Sequence, residues 1–189
     1  MVSRKNNTRK KGCVYDANDF NDKNGMLTAI WGPGMWHFLH TMSFNYPNQP
    51  SKLQKKQYKD FVISLKHILP CGKCRENLAI NFKKMPLTMK HMKNRETFSR
   101  YVYELHEMVN KQLNKHSGLT YEMVRERYEH FRARCVFPKK NKTRKKNEKG
   151  CVVPLYGEKA KCVLHIVPQE KKCDTLQIDE KCIKKKLDV

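Results

Sequence analysis

"HILPCGKCRENL", residues 67–78, holds the only C-x-x-C of the chain. Pro70 stands directly before Cys71, and proline ends or kinks a helix because it lacks the amide hydrogen and crowds the preceding turn. The stretch therefore reads as the end of one helix, a thiol at the junction, and a second short helix over 71–83. Such a pair could grip a metal, staple a loop or exchange electrons, and the rest of the chain must decide among these.

Helical periodicity extends on both sides of the junction. In 52–69, Leu53, Tyr58, Phe61, Val62, Leu65, Ile68 and Leu69 recur at i, i+3, i+4 spacing. Upstream, 27–44 is apolar, and its Gly32-Pro33-Gly34 step predicts that the true helix start lies there. From Met35 onward, Trp36, Leu39, His40 and Ser43 share one face, and Tyr46–Ser51 breaks the chain before the next helix. Downstream, 96–115 places Phe98, Tyr101, Val102, Leu105, Val109 and Leu113 on a stripe, with Gly118 as its stop. Thr120 then caps a helix running through Tyr121, Val124, Tyr128 and Phe131 to Cys135. No strand is expected before residue 150. The expected architecture is all-α: a four-helix bundle with a short additional helix, plus an irregular, basic, cysteine-containing C-terminal tail.

Composition sets the boundaries. Of 189 residues, 40 are Lys or Arg and 18 are Asp or Glu, a formal net charge of +22. Residues 1–11 and 139–149 are dense basic runs without apolar periodicity. The expected organisation is a basic arm over 1–26, a folded domain over 27–135, a basic linker over 136–150 and a tail over 151–189. A charge of this size attracts polyanions, so weak polyanion contact through the arms is expected. No run of about 18 apolar residues exists to span a membrane. The basic N-terminus has no apolar segment behind it, as a secretory signal would, and it lacks the amphipathicity of a mitochondrial presequence.

The eight cysteines are Cys13, Cys71, Cys74, Cys135, Cys151, Cys162, Cys173 and Cys182. In a leaderless chain, metal or redox chemistry is a better expectation than a disulfide scaffold. In the tail, Val163, Leu164, Ile166 and Val167 suit a short strand, while an arm stapled to the body by disulfides suits the same residues.

Three chemistries compete for Cys71 and Cys74. Zinc needs further ligands, and no second C-x-x-C exists; His91, His106 and His116 lack tight paired spacing. A purely structural disulfide three residues apart removes little entropy from the unfolded chain. Redox exchange suits the position best. A thiol at a helix N-terminus, with Lys73 and Arg75 beside it, is stabilised as the thiolate. An electron acceptor must then lie near, and two clusters suit a flat cofactor: Trp36, His40 and Tyr46, and His106, Asn110 and Lys115 along one helix. The same residues at helical spacing would also serve as ordinary core.

In this order, the motifs resemble the Erv/ALR family of FAD-linked sulfhydryl oxidases. They are Trp36–Leu39–His40, Tyr46–Pro47, Pro70–Cys71–Cys74, and His106–Val109–Asn110–Leu113–Lys115, closed by "VRERYEHFRARC" with Tyr128 where the family often has Trp. The resemblance covers about residues 27–135. Departures are Glu107 in place of an Asn, Tyr103 in place of a structural-disulfide cysteine, and Gly-Pro-Gly in place of a Gly-Arg.

The resemblance implies a thiol oxidase that takes electrons from dithiols through the C-x-x-C disulfide and FAD to O2, yielding hydrogen peroxide. It implies Cys71 as the interchange thiol and Cys74 as the flavin-facing one. Gly32, Trp36, His40, Tyr46, His106, Asn110, Leu113, Lys115 and Tyr128 would line the FAD pocket, with no metal. It also implies a homodimer, and a thiol-containing protein substrate or a thioredoxin-like relay. A shuttle disulfide would be drawn from Cys13 or the tail cysteines, which could equally pair among themselves. Pared-down domains of this kind resemble those of large DNA viruses, implying host cytoplasm or virion ahead of the mitochondrial intermembrane space. The rival reading is a small basic zinc- or nucleic-acid-binding protein.

Overall fold

The computed structural model describes residues 25–134 and 151–158. Cys13, Cys135, Cys162, Cys173 and Cys182, and the strand expected near 163–167, lie outside those residues. Among the described residues five helices form in chain order: α1 Thr28–Phe44, α2 Lys52–Ile68, α3 Gly72–Lys84, α4 Arg95–Gln112 and α5 Tyr121–Glu129. The chain is all-α in class, four longer helices and a short fifth.

Local chemistry sets most boundaries. Ser51 accepts from the Gln54 amide while the Gln54 side chain accepts from the Ser51 amide, a reciprocal cap that starts α2. Asn94 and Thr97 form the same arrangement at α4, and Thr120 caps α5 through the Met123 amide. Burial of apolar stripes then drives assembly. Leu39 of α1, Val62 and Leu65 of α2, Leu78 of α3, and Phe98, Val102 and Leu105 of α4 form one buried cluster. Phe44, Tyr121, Val124 and Tyr128 form a second between α1 and α5. The buried Asn81 side chain exchanges amide hydrogen bonds at 3.1 and 2.6 Å with that of the exposed Gln112, tying α3 to the end of α4.

The structure corrects five expectations. α1 begins at Thr28 and runs through Pro33. The proline costs one amide bond to the Ala29 carbonyl, but that turn is exposed, so water can take its place. The Trp31 indole, donating to the Met26 carbonyl at 3.1 Å, holds the new start. α4 ends at Gln112, before Gly118, because Asn114 already turns left-handed at φ +53°. α5 ends at Glu129, short of Cys135. After it, β1 Ala133–Arg134 pairs antiparallel with β2 Val153–Pro154, a ladder before residue 150 that only a distant segment could create. Finally, Leu53 and Ile68, both on the expected α2 stripe, are 63% exposed.

Candidate redox and cofactor site

Cys71 is the N-cap of α3, and its sulfur accepts from the Cys74 amide at 3.2 Å. The two cysteines form a disulfide, with Cα atoms 5.2 Å apart, and both are half-buried. When that bond opens, the amide and the helix dipole favour negative charge on Cys71. The junction around it is well braced. Arg75 donates to the Leu69 carbonyl at 2.5 Å, and the Met26 amide donates to the Pro70 carbonyl at 2.7 Å. Gly25 bridges Cys71 in antiparallel fashion at φ +97°, where a Cβ would lie 2.6 Å from the Pro70 oxygen. Only glycine suits that position.

The second feature is an aromatic and imidazole wall. Gly32, Trp36 and His40 succeed each other at four-residue intervals on one face of α1. Trp36 stacks on His106 of α4, centroids 4.0 Å apart and planes 7° from parallel. His40 Nε2 lies 3.0 Å from His106 Nδ1. Tyr128 of α5 stands 5.2 Å from His40 and stacks on Phe44 at 5.4 Å. Burial, reinforced by His106 and His37, lowers the His40 pKa to about 3, and burial lowers His106 to about 4. Both imidazoles are therefore neutral at pH 7. His40 is 4% exposed, and its Nδ1 is buried with no hydrogen-bond partner among the described residues.

His37 escaped the sequence reading. Its Nδ1 is hydrogen-bonded to the Tyr128 hydroxyl at 3.2 Å, and its ring meets the edge of Phe131. The signal was present as an H-x-x-H spacing with His40.

Other candidates stand apart from this wall. Tyr46 is wholly buried between Tyr58 and Phe98 and donates to the Met92 carbonyl at 3.1 Å, so it serves as core. Asn110 spends its amide on Glu107, at 3.0 Å, the residue that replaces an Asn. Leu113 is 57% exposed. Lys115 is exposed; its amide donates to the Asn110 carbonyl at 2.9 Å, and its charge helps lower the His106 pKa. An open pocket of about 360 Å³ lies on another face of α1, among Trp31, Phe38, Leu65 and Pro70. It is apolar and holds no group for catalysis. Among the described residues no three His, Cys, Asp or Glu side chains converge as a metal site requires. No described helix is long and apolar enough to cross a membrane.

A helical bundle with a cystine at one helix N-terminus and a neutral histidine pair in an aromatic wall defines a small redox domain. Residues 33–129, just over half of the chain, match the model of the Erv1/Alr family, and the chain belongs to that family. It is 36% identical over 85 residues to a probable FAD-linked sulfhydryl oxidase of Acanthamoeba polyphaga mimivirus, covering 45% of this chain and 59% of the relative. It is 33% identical over 84 residues to the mitochondrial FAD-linked sulfhydryl oxidase of Saccharomyces cerevisiae, covering 44% of this chain and 43% of the relative. An African swine fever virus FAD-linked sulfhydryl oxidase is 32% identical over 85 residues, covering 45% and 69%. The chain thus spans about half of the length of the first two. The crystal structure of the FAD-binding domain of yeast Erv1 superposes with a TM-score of 0.50 at 28% identity, covering 55% of this chain and 94% of that one.

Proposed function

We propose that the chain is a FAD-linked sulfhydryl oxidase that makes disulfides in thiol-containing proteins. The observation that carries this reading is the Cys71–Cys74 disulfide at the N-terminus of α3, in a chain of the Erv1/Alr family. A substrate thiolate attacks the Cys71 sulfur, and the Cys71–Cys74 bond breaks with Cys74 leaving as thiolate. The second substrate thiolate then displaces Cys71, closing the substrate disulfide and leaving two reduced cysteines. FAD, when bound, supplies the two-electron acceptor that restores the disulfide and delivers the electrons to O2 as hydrogen peroxide.

The residues fit such a group. Trp36, His106 and Tyr128 present flat rings, and the partnerless His40 Nδ1 is a buried polar atom awaiting a hydrogen bond. A Cβ on Gly32 would meet nothing within 4 Å, so the α1 face is open there. Asn110, Leu113 and Lys115 would extend the site along the end of α4, while Tyr46 supports it from the core.

The same reading assigns 27–135 as the oxidase domain between the arm 1–26, the linker 136–150 and the tail 151–189. Cys13 and the tail cysteines remain the shuttle candidates; Cys151 is disulfide-bonded. Met26, Leu27, Ile30 and Phe38 of the α1 region and Ile68 of α2 expose apolar surface around the 360 Å³ pocket, which suits a second copy of the chain and hence a homodimer. Viral relatives support a host-cytoplasm or virion setting. A thioredoxin-like relay and weak polyanion contact through the arms complete the proposal. The zinc or nucleic-acid reading is not favoured, since both junction sulfurs are bonded to each other.

Purified full-length protein should be yellow, with a flavin spectrum that bleaches when dithiothreitol is added anaerobically and returns with air. Colourless protein that carries zinc and leaves dithiothreitol unoxidised overturns the reading.

A further inference from the structure

The folded body concentrates its positive charge. The α2–α3 hairpin, residues 52–84, carries nine Lys or Arg against two Asp or Glu, a net of +7. α1 carries no charged side chain, and the longer stretch 85–134 carries ten basic against six acidic residues, a net of only +4. The disulfide lies at the turn of that most basic hairpin. Both hairpin carboxylates are already paired within it, Asp60 with Lys56 at 2.5 Å and Glu76 with Lys73 at 3.1 Å. Lys52, Lys55, Lys59, Lys66, Lys83 and Lys84 have no ion pair among the described residues. With a rise of about 1.5 Å per residue, Lys52 to Lys66 alone spreads positive charge over about 21 Å of α2. Arg75 adds a charge beside the pair, although its guanidinium is anchored on the Leu69 carbonyl.

From this placement we propose that the α2–α3 hairpin selects thiol substrates whose reactive cysteines are flanked by acidic residues. The inference rests on the proposed thiol-exchange role of Cys71 and names its substrate class. The hairpin field raises the local concentration of an acidic chain at Cys71 and repels a basic one. It also favours the substrate thiol as thiolate as it arrives, the form that attacks sulfur. At about 0.01 M salt the Debye length, roughly 30 Å, lets the whole hairpin act. At 0.15 M it falls to about 8 Å, and only the charges nearest Cys71 still act. The chemistry of the step is unchanged: the substrate dithiol loses two electrons and two protons, and the Cys71–Cys74 disulfide gains both.

The test uses the full chain, since Asp16, Asp19 and Asp22 lie upstream of the described residues. Two dithiol peptides with a common core, one flanked by Asp and Glu and one by Lys, are each mixed with the protein without oxygen. Reduction of Cys71–Cys74 is followed by alkylation and mass. The acidic peptide should react about tenfold faster or more at low salt, with the advantage shrinking several-fold at 0.15 M. Lys59→Glu with Lys66→Glu should abolish the preference while uncharged dithiothreitol reacts as before. Should that variant lose its helical circular dichroism, Lys52→Glu with Lys84→Glu serves in its place. Equal peptide rates alongside normal dithiothreitol oxidation in air overturn this inference and leave the oxidase reading standing. An acidic preference without aerobic turnover overturns the oxidase reading and leaves this inference.

Discussion

His40 Nε2 lies 3.0 Å from His106 Nδ1, joining α1 to α4 through two imidazoles that are both uncharged at neutral pH. Their pKa values, about 3 and about 4, lie below the ordinary 6.5 because burial penalises the charged ring. The unfolded chain therefore binds more protons below pH 6.5 than the folded one does. Their contribution to stability is complete above pH 6.5 and is lost as pH falls toward the folded values. The loss is about 1.4 kcal/mol per pH unit for each imidazole at most. Urea midpoints measured from pH 7.5 to 4 should fall accordingly, and His106→Gln should flatten the slope. An unchanged slope in that variant would remove His106 from this account.

The two cysteines should fail differently. Cys71→Ser removes the sulfur that substrate attacks, so no mixed disulfide forms and dithiol oxidation drops roughly a hundredfold or more. Cys74→Ser leaves Cys71 able to exchange but unable to close the pair, so mixed disulfides with small thiols accumulate on it. Intact-mass analysis after glutathione disulfide treatment separates these outcomes. Equal adduct formation by both variants would contradict the division of roles.

Gly25→Ala should loosen the junction. The added Cβ must displace the Pro70 carbonyl from 2.6 Å at a backbone φ of +97°, costing about 1–3 kcal/mol. Thermal unfolding should register that cost, and Cys71, once reduced, should alkylate faster as its bridge to residue 25 opens. A variant as stable as the parent would show that the Gly25–Cys71 bridge is not held in solution.

Gln112→Ala should leave the fully buried Asn81 amide without its partner, destabilising the fold by about 1–3 kcal/mol. A double-mutant cycle with Asn81→Ala should show coupling between the two. Strict additivity would mean that the two amides act independently.

Much of the bundle was legible because helix signals are local. Ser51, Thr120 and the proline at 70 announce their boundaries through side chains within three residues of the backbone groups they satisfy or block. Where a boundary depended on a distant partner, the local signal misled. Gly32-Pro33-Gly34 looked like a start, yet the helix begins earlier, with Met26 held by the Pro70 carbonyl. The end of α5 yields to a ladder with residues some twenty positions away. Leu53 and Ile68 fit the apolar stripe of α2, but burial depends on which helix lies opposite, and none of the described helices covers them.

The junction at the heart of the chain divides in the same way. The sequence by itself determined that a thiol pair follows a helix-ending proline and opens a new helix, because those effects act through the adjacent backbone. It also determined the order of motifs that places the chain in its family. Only the tertiary structure decided that Gly25 would seal the back of Cys71, that His37 would join Tyr128, and that Tyr46 would sink into the core. Those outcomes depend on contacts between residues tens of positions apart, and such contacts exist only once apolar burial has brought the helices together.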